Sequence, residues 1–236
     1  MNKKELVVRF RPLVELACRV HNLRNCFRTK KRGKNNRITA PCALLKKVRI
    51  EFSGNDNEVI IEEFAVLKNV SLSIHGSGNV VRIGGWSHLN GTEVCTENDG
   101  NAIILGQRSK LYGRVHLAAM EGTKITIGQD CLFSDDVHIR TGDSHSLLDM
   151  QGRRINASQD ITLGDHVWVG TKVTCLKGSV IPPHCVVGAG SLVTKAFAKP
   201  NCAIAGVPAK VVREEVDWSL KRIPVGEIAA DFQPLK

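Results

Sequence analysis

Large aromatic side chains are scarce in this chain. They make up 5% of its 236 residues, and tyrosine occurs once. An interior built without them is filled by Val, Ile, Leu and Ala, which suits a narrow and regular core. No run of eighteen apolar residues exists, which excludes a membrane-spanning helix. The first thirty residues lack the apolar stretch and small-residue cleavage site of a secretory signal. The eight cysteines (18, 26, 42, 95, 131, 175, 185 and 202) contain no C-x-x-C pair, and most stand where a small buried residue fits. That usage belongs to a reducing compartment and predicts a cytoplasmic protein. A composition of 42% apolar and 24% charged residues excludes disorder and collagen-like structure.

Acidic residues are nearly missing from one end. Residues 1–49 carry 15 Lys and Arg against 2 Asp and Glu, whereas residues 50–236 carry 18 against 21. The net charge of +10 therefore belongs to an arm and not to the body, which argues against a nucleic-acid binder. A basic arm points to an anionic surface, such as phospholipid head groups or an acidic polymer; a solubilising arm gives the same pattern. Within residues 1–37, peripheral membrane association is thus one expectation. The other is capping. Pro12 suits the first turn of a helix, and Leu13, Leu16, Val20, Leu23 and Phe27 recur at spacings of three and four, which predicts one apolar helix face. A helix of this kind covers the open end of a repeat stack. Lys30 to Arg37 reads as a hinge.

From residue 48 a period of 22 appears. Val59, Val81, Ile103 and Ile125 keep it, as do Ile61, Ile83, Leu105 and Ile127, and Leu67, Leu89, Leu111 and Phe133. Gly84, Gly106 and Gly128 form a further row, and Asn57, Asn79 and Asn101 another. Shared periodicity of this kind is the signature of a solenoid. The asparagines suit tight turns, where Asn tolerates positive φ. From residue 163 the period shortens to six: Leu163, Val169, Cys175, Ile181, Val187 and Val193 recur, each followed four positions on by Val167, Val173, Ser179, Cys185, Ser191 and Phe197. Six hexads make two three-sided rungs of 18 residues. Both periods describe one parallel β-helix, with longer turns in its early rungs. Residues 141–160 fit neither period and predict a long extruded loop, the kind of feature that carries function. The domain organisation expected is a basic helical cap over 1–47, a β-helix over 48–213 and a tail over 214–236.

The stretch from Ile127 to Arg213 resembles the left-handed β-helix acyltransferases of the hexapeptide-repeat superfamily, most nearly the branch of galactoside, maltose and capsular or exopolysaccharide O-acetyltransferases. The motifs that carry the resemblance are TGDSH (141–145), ITLGDHVWVG (161–170), VVGAGSLVTK (186–195) and AGVPAKVVRE (205–214), in the family's order and spacing. The resemblance implies left-handedness, a homotrimer with active sites between protomers and acetyl-CoA as co-substrate; no metal is expected. It makes His145 the general base and puts Trp168 beside it in the active site. It assigns Thr171, Ala189, Thr194, Lys195, Lys210 and Arg213 to the cofactor. Three departures stand out. Thr171 replaces a serine, Lys210 replaces an arginine and so loses a bidentate phosphate grip, and Pro182-Pro183-His184 replaces a Gly-Asp-Asn type of turn. Residues 1–120 do not match the small sugar acetyltransferases.

The chemistry fits these residue types. A neutral imidazole has the basicity to take a proton from a sugar hydroxyl near pH 7. A backbone N–H or the Trp168 indole N–H could stabilise the developing oxyanion. No cysteine sits in a nucleophile-like setting beside His145, which predicts direct transfer with no acetyl-enzyme. Asp143 and Asp149 are the candidates for orienting His145; Asp135 or Asp136, one strand earlier, or a backbone carbonyl could do the same, and the sequence does not choose. Arg153 and Arg154 could meet an anionic sugar, or simply lie in a solvated loop. His116 and His138, 22 apart, read as an outward-facing pair without a metal, and His166 and His184 as exposed turn residues. The function expected is acetyl-CoA-dependent O-acetylation of a surface polysaccharide or its precursor. A serine acetyltransferase-like enzyme and a non-catalytic trimeric scaffold or glycan-binding module are the alternatives.

Overall fold

The computed structural model describes residues 11–229. Its strands stack in parallel columns. One column holds β2 (Arg37–Thr39), β4 (Glu58–Ile61), β6 (Val80–Ile83), β8 (Ala102–Leu105), β10 (Lys124–Ile127), β13 (Ile161–Leu163) and β16 (Val180–Ile181). Two further columns are joined in the early rungs by long strands that serve both: β3 (Leu44–Ser53), β5 (Val66–His75), β7 (His88–Glu97) and β9 (Lys110–Met120). Beyond β9 they part. β11 (Leu132–Phe133), β14 (Trp168–Val169), β17 (Val186–Val187) and β19 (Cys202–Gly206) continue one. β12 (Val137–Arg140), β15 (Thr174–Cys175) and β18 (Leu192–Val193) continue the other. The fold is therefore a parallel β-solenoid, as the two periods predict. The last strand, β20 (Ala209–Glu214), turns back antiparallel on β19.

The repeat rows become stacked core rows. Leu45, Leu67, Leu89, Leu111, Phe133, Val169, Val187 and Ile204 pair in succession up one column, and all are buried. Both hexad rows are buried too, with Phe197 the most accessible at 9%. Full burial of an aliphatic side chain is worth about 1.5–3 kcal/mol, so the stack supplies its own stability rung by rung. The glycine row has a steric cause. A Cβ on Gly84, Gly106 or Gly128 would come within 2.4, 2.5 and 2.3 Å of atoms of the next rung.

The asparagine row differs from the tight-turn expectation. The left-handed turn positions fall on other residues, such as Phe64, Trp86, Arg108 and Asp130, at φ 62, 61, 59 and 57°. Asn57, Asn79 and Asn101 are buried instead, and they form a ladder with Asn36. Each donates Nδ2 to the Oδ1 of the asparagine one rung earlier, at 3.0, 3.1 and 2.9 Å. Amide ladders of this kind satisfy polar groups that burial would otherwise penalise.

The amino-terminal segment also departs from its reading. Helix α1 (Arg11–Arg24) forms, yet it buries Cys18 and Asn22 rather than its apolar row. Asn22 accepts from Leu45 N and donates to Ala43 O, at 2.8 and 3.0 Å, and this pins the helix over the first rung. Leu13, Leu16, Val20 and Leu23 point outward, 41–79% exposed. The expected hinge is partly strand. β1 (Arg28–Arg32) pairs with β3, and β2 with β4, so the sheet begins at Arg28 rather than near residue 48. Residues 1–10, part of the predicted membrane-associating arm, and residues 230–236 of the tail lie outside the described residues.

Candidate active site

The loop 141–160 leaves the end of β12 and returns at β13. Thr141 anchors its start: its Oγ1 accepts from Met120 N at 3.0 Å and from Thr123 Oγ1 at 2.6 Å. Gly142 has no room for a side chain, since a Cβ would stand 2.1 Å from Ser158 Oγ and 2.8 Å from Met120 Sδ. The loop's hub is Asn156, which is buried. Its Nδ2 donates to the His145 carbonyl and to Asp143 Oδ2, both at 2.8 Å. Its Oδ1 accepts from Leu147 N at 2.8 Å and Arg154 Nε at 3.1 Å. The His145 main chain is thus fixed while its side chain stands exposed to solvent.

The two carboxylates expected to orient His145 face other partners. Asp143 pairs with Lys177 Nζ at 2.5 Å. That ammonium, followed by the Asn156 amide, holds its carboxyl below the usual range. Asp149 caps its own turn, accepting from Gln151 N and Arg153 N at 2.9 Å and from Arg153 Nε at 2.8 Å. The Arg153 backbone N–H is the main cause of its lowered pKa. Arg154 is also engaged, gripping Glu121 through two bonds of 2.5 and 2.9 Å. That guanidinium, followed by the Ser158 hydroxyl, pulls the Glu121 carboxyl down to about 2. Both arginines considered for an acceptor therefore have carboxylate partners within the chain.

Trp168 lies on β14 and is 38% exposed. It stands in the column of β11, β14 and β17, whereas the His145 loop springs from the β12 column. Thr171 and Ala189 are exposed on turns of successive rungs, joined by Gly190 N to Thr171 O at 2.8 Å. Thr194 and Lys195 are exposed just past β18, and the Lys195 ammonium lies 5.6 Å from the Phe197 ring centre. Lys210 and Arg213 project from β20, exposed and without an ion-pair partner among the described residues. Cys175 and Cys185 are core residues. Burial pushes the Cys175 thiol up to about 12, a poor nucleophile at neutral pH.

The rings of His116 and His138 lie 5.9 Å apart, tilted by 40°, each near one acid, at 3.6 Å from Glu93 and 3.5 Å from Asp136. The turn histidines differ from their reading as exposed. His166 and His184 are partly covered by the tail, where Trp218 stacks on His166 at 4.2 Å and 9°. Asn156, Glu121, Lys177, Asp217 and Trp218 are the residues that sequence reasoning missed. Only the break in periodicity at 141–160 signalled any of them.

Comparison with solved structures decides the kinship. The crystal structure of NeuO, a polysialic-acid-specific acetyltransferase, superposes with a TM-score of 0.77 at 30% identity over 86% of this chain and 92% of that one. The chain belongs to the hexapeptide-repeat O-acetyltransferases. OatWY, a polysialic acid O-acetyltransferase, gives a TM-score of 0.75 at 28% identity over 85% and 95% of the two chains. The polysialic acid O-acetyltransferase of Escherichia coli O1:K1 / APEC is 34% identical over 103 residues, which are 43% of this chain. That match spans 33% of the relative's own length. No protein-family model matches the chain.

Proposed function

We propose that this chain transfers an acetyl group from acetyl-CoA to a hydroxyl of a bacterial surface polysaccharide or its precursor. The observation that carries the reading is likeness to two polysialic acid O-acetyltransferases over nearly the whole fold, combined with an exposed His145 on a rigidly tied loop. In this reading His145 takes the acceptor's hydroxyl proton and later returns it to the leaving thiolate. Trp168 walls the site and can offer its indole N–H to developing negative charge. Acetyl-CoA, when bound, supplies the thioester. Lys195, Lys210 and Arg213 suit its phosphates because they have no ion-pair partner among the described residues, and Thr171, Ala189 and Thr194 lie on exposed turns. Buried, high-pKa thiols support transfer without an acetyl-enzyme.

His145 and Trp168 belong to different columns, and a site between protomers of a left-handed trimer supports their meeting. The reaction belongs in the cytoplasm, where the donor is made. No helix among the described residues is long and apolar enough to cross a membrane. An anionic bilayer surface suits the outer face of α1, where Leu13, Leu16, Val20 and Leu23 are exposed beside the all-exposed basic strand β1. The test of the function is CoA release with a panel of acceptors: sialic acid polymer, neutral surface polysaccharides and L-serine. Turnover confined to glycans supports the reading; turnover on L-serine alone, or on none, refutes it.

A further inference from the structure

The tail closes a second cluster that the acetyl-transfer chemistry does not use. His166 and His184 occupy equivalent turns one rung apart, both in the left-handed region at φ 53 and 58°. This conformation lets their rings leave the stack side by side, with centres 5.1 Å apart. Asp217 from the tail comes down between them. Its Oδ1 lies 3.4 Å from His166 Nε2 and 3.5 Å from His184 Nδ1, and all three atoms fall within 4.8 Å of one another.

We propose that these three residues form a divalent metal site, with Zn2+ as the ion best suited to it. Two imidazoles and one carboxylate are a borderline nitrogen and oxygen donor set that zinc accepts. At bonds of about 2.0–2.1 Å, tetrahedral ligands stand roughly 3.3–3.4 Å apart, and the two measured separations from Asp217 are already close to that value. An independent observation points to a ligand. His184 Nδ1 is buried from solvent yet has no hydrogen-bond partner, although a buried polar atom ordinarily has one. A bound cation would satisfy it. In the metal-free chain His166 Nε2–H donates to the Trp218 carbonyl at 3.0 Å; coordination takes the other neutral tautomer, with the proton on Nδ1, and gives up that bond. The fourth position is left to water.

The surroundings hold the donors in place. Trp218 stacks on the His166 ring and donates Nε1 to the His166 carbonyl at 2.8 Å. Asp217 Oδ1 accepts from Trp218 N at 2.8 Å. The His166 and His184 main chains donate to Gln129 O and Asp165 O of the rungs before them, at 2.8 and 3.0 Å. Such outer contacts orient metal ligands and are part of a metal site's design. The ion would clasp the tail to the solenoid and so fix Trp218, whose ring lies 6.1 Å from that of Trp168. This site does not depend on the acetyl-transfer reading, and it runs against the metal-free expectation of the sequence reading.

The experiment uses full-length protein stripped with a chelator, in a Cys26→Ser background that removes the exposed thiol. Zn2+ is titrated by calorimetry, Tm is followed with and without it, and Co2+ serves as a spectroscopic probe. The expected result is one ion per chain, a raised Tm, protection of the tail against limited proteolysis and the visible absorption of a four-coordinate Co2+ site without a thiolate band. Asp217→Asn and His184→Gln, which leave the solenoid core untouched, should each weaken binding at least 100-fold and abolish the protection. Absence of stoichiometric binding overturns the proposal. So does binding that survives in both variants, or a cobalt spectrum with a thiolate band.

Discussion

Asn156 donates its side-chain amide to the backbone carbonyl of His145 at 2.8 Å, and the same amide reaches Asp143 at 2.8 Å. One buried residue thereby fixes the main chain of the candidate base from eleven positions away. Replacing Asn156 by Ala should lower kcat by about 10–100-fold, since an ångström-scale misplacement of a reacting group costs that much. KM for acetyl-CoA should hardly change, because the turns assigned to the cofactor lie elsewhere. Steady-state kinetics with both substrates varied checks this; equal losses in kcat and in the affinity for acetyl-CoA would point to general collapse of the site.

The Glu121–Arg154 pair should make the loop's anchoring acid-resistant. The Glu121 carboxyl titrates at about 2 in the folded chain, below its usual 4.5. A carboxylate depressed in this way contributes fully above its ordinary pKa and loses that contribution progressively as pH falls from there through the folded value. The loop should therefore resist pepsin at pH 4 and open towards pH 2. Glu121→Gln, which abolishes the charge, should be cut within 141–160 already at pH 4. Equal resistance of the variant and wild type at pH 4 would remove this anchor from the account.

A site shared between protomers predicts complementation. His145→Ala and Trp168→Ala should each be nearly inactive alone. Mixed trimers, formed by co-expression or by refolding together, should regain about a quarter of the wild-type activity, because a shared site is intact only when two different protomers supply the two residues. Mixtures no more active than the separate variants would place both residues in one protomer's site.

Much of the solenoid was legible because its core repeats. Rows such as Leu67, Leu89 and Leu111 state both the rung length and the inward face, and the structure stacks them one above another. The asparagine row was visible as a period, but its cause was not: sequence cannot distinguish a turn residue from one rung of a buried amide ladder. The α1 stripe misled for a related reason. Its apolar spacing suggests packing, yet the inward face was chosen by the hydrogen bonds of Asn22 to Ala43 and Leu45. At the candidate site, motifs singled out His145 and Trp168 as the residues to test. The network around Asn156, Glu121 and Lys177 joins distant segments through single side chains and leaves no periodic trace.

The outward stripe on α1 bears on membrane association. Flotation with vesicles should show binding to bilayers rich in phosphatidylglycerol and little to pure phosphatidylcholine, with loss at high salt, since each basic residue near an anionic surface adds about 1 kcal/mol. Leu16→Glu with Val20→Glu should abolish binding while leaving Tm nearly unchanged, because both side chains are exposed. Binding retained by this variant, or a preference for sialic acid polymer over vesicles, would reassign the basic arm to charge alone or to the acceptor.

The most direct measurement is mass spectrometry of acetyl groups on sialic acid polymer and other surface glycans after incubation with acetyl-CoA, comparing wild type with a folded His145→Ala variant. The account predicts O-acetylated product from the wild type and a rate lower by about 10²–10⁴-fold in the variant, the usual contribution of a positioned base. A variant that acetylates the same glycan at the wild-type rate would contradict it.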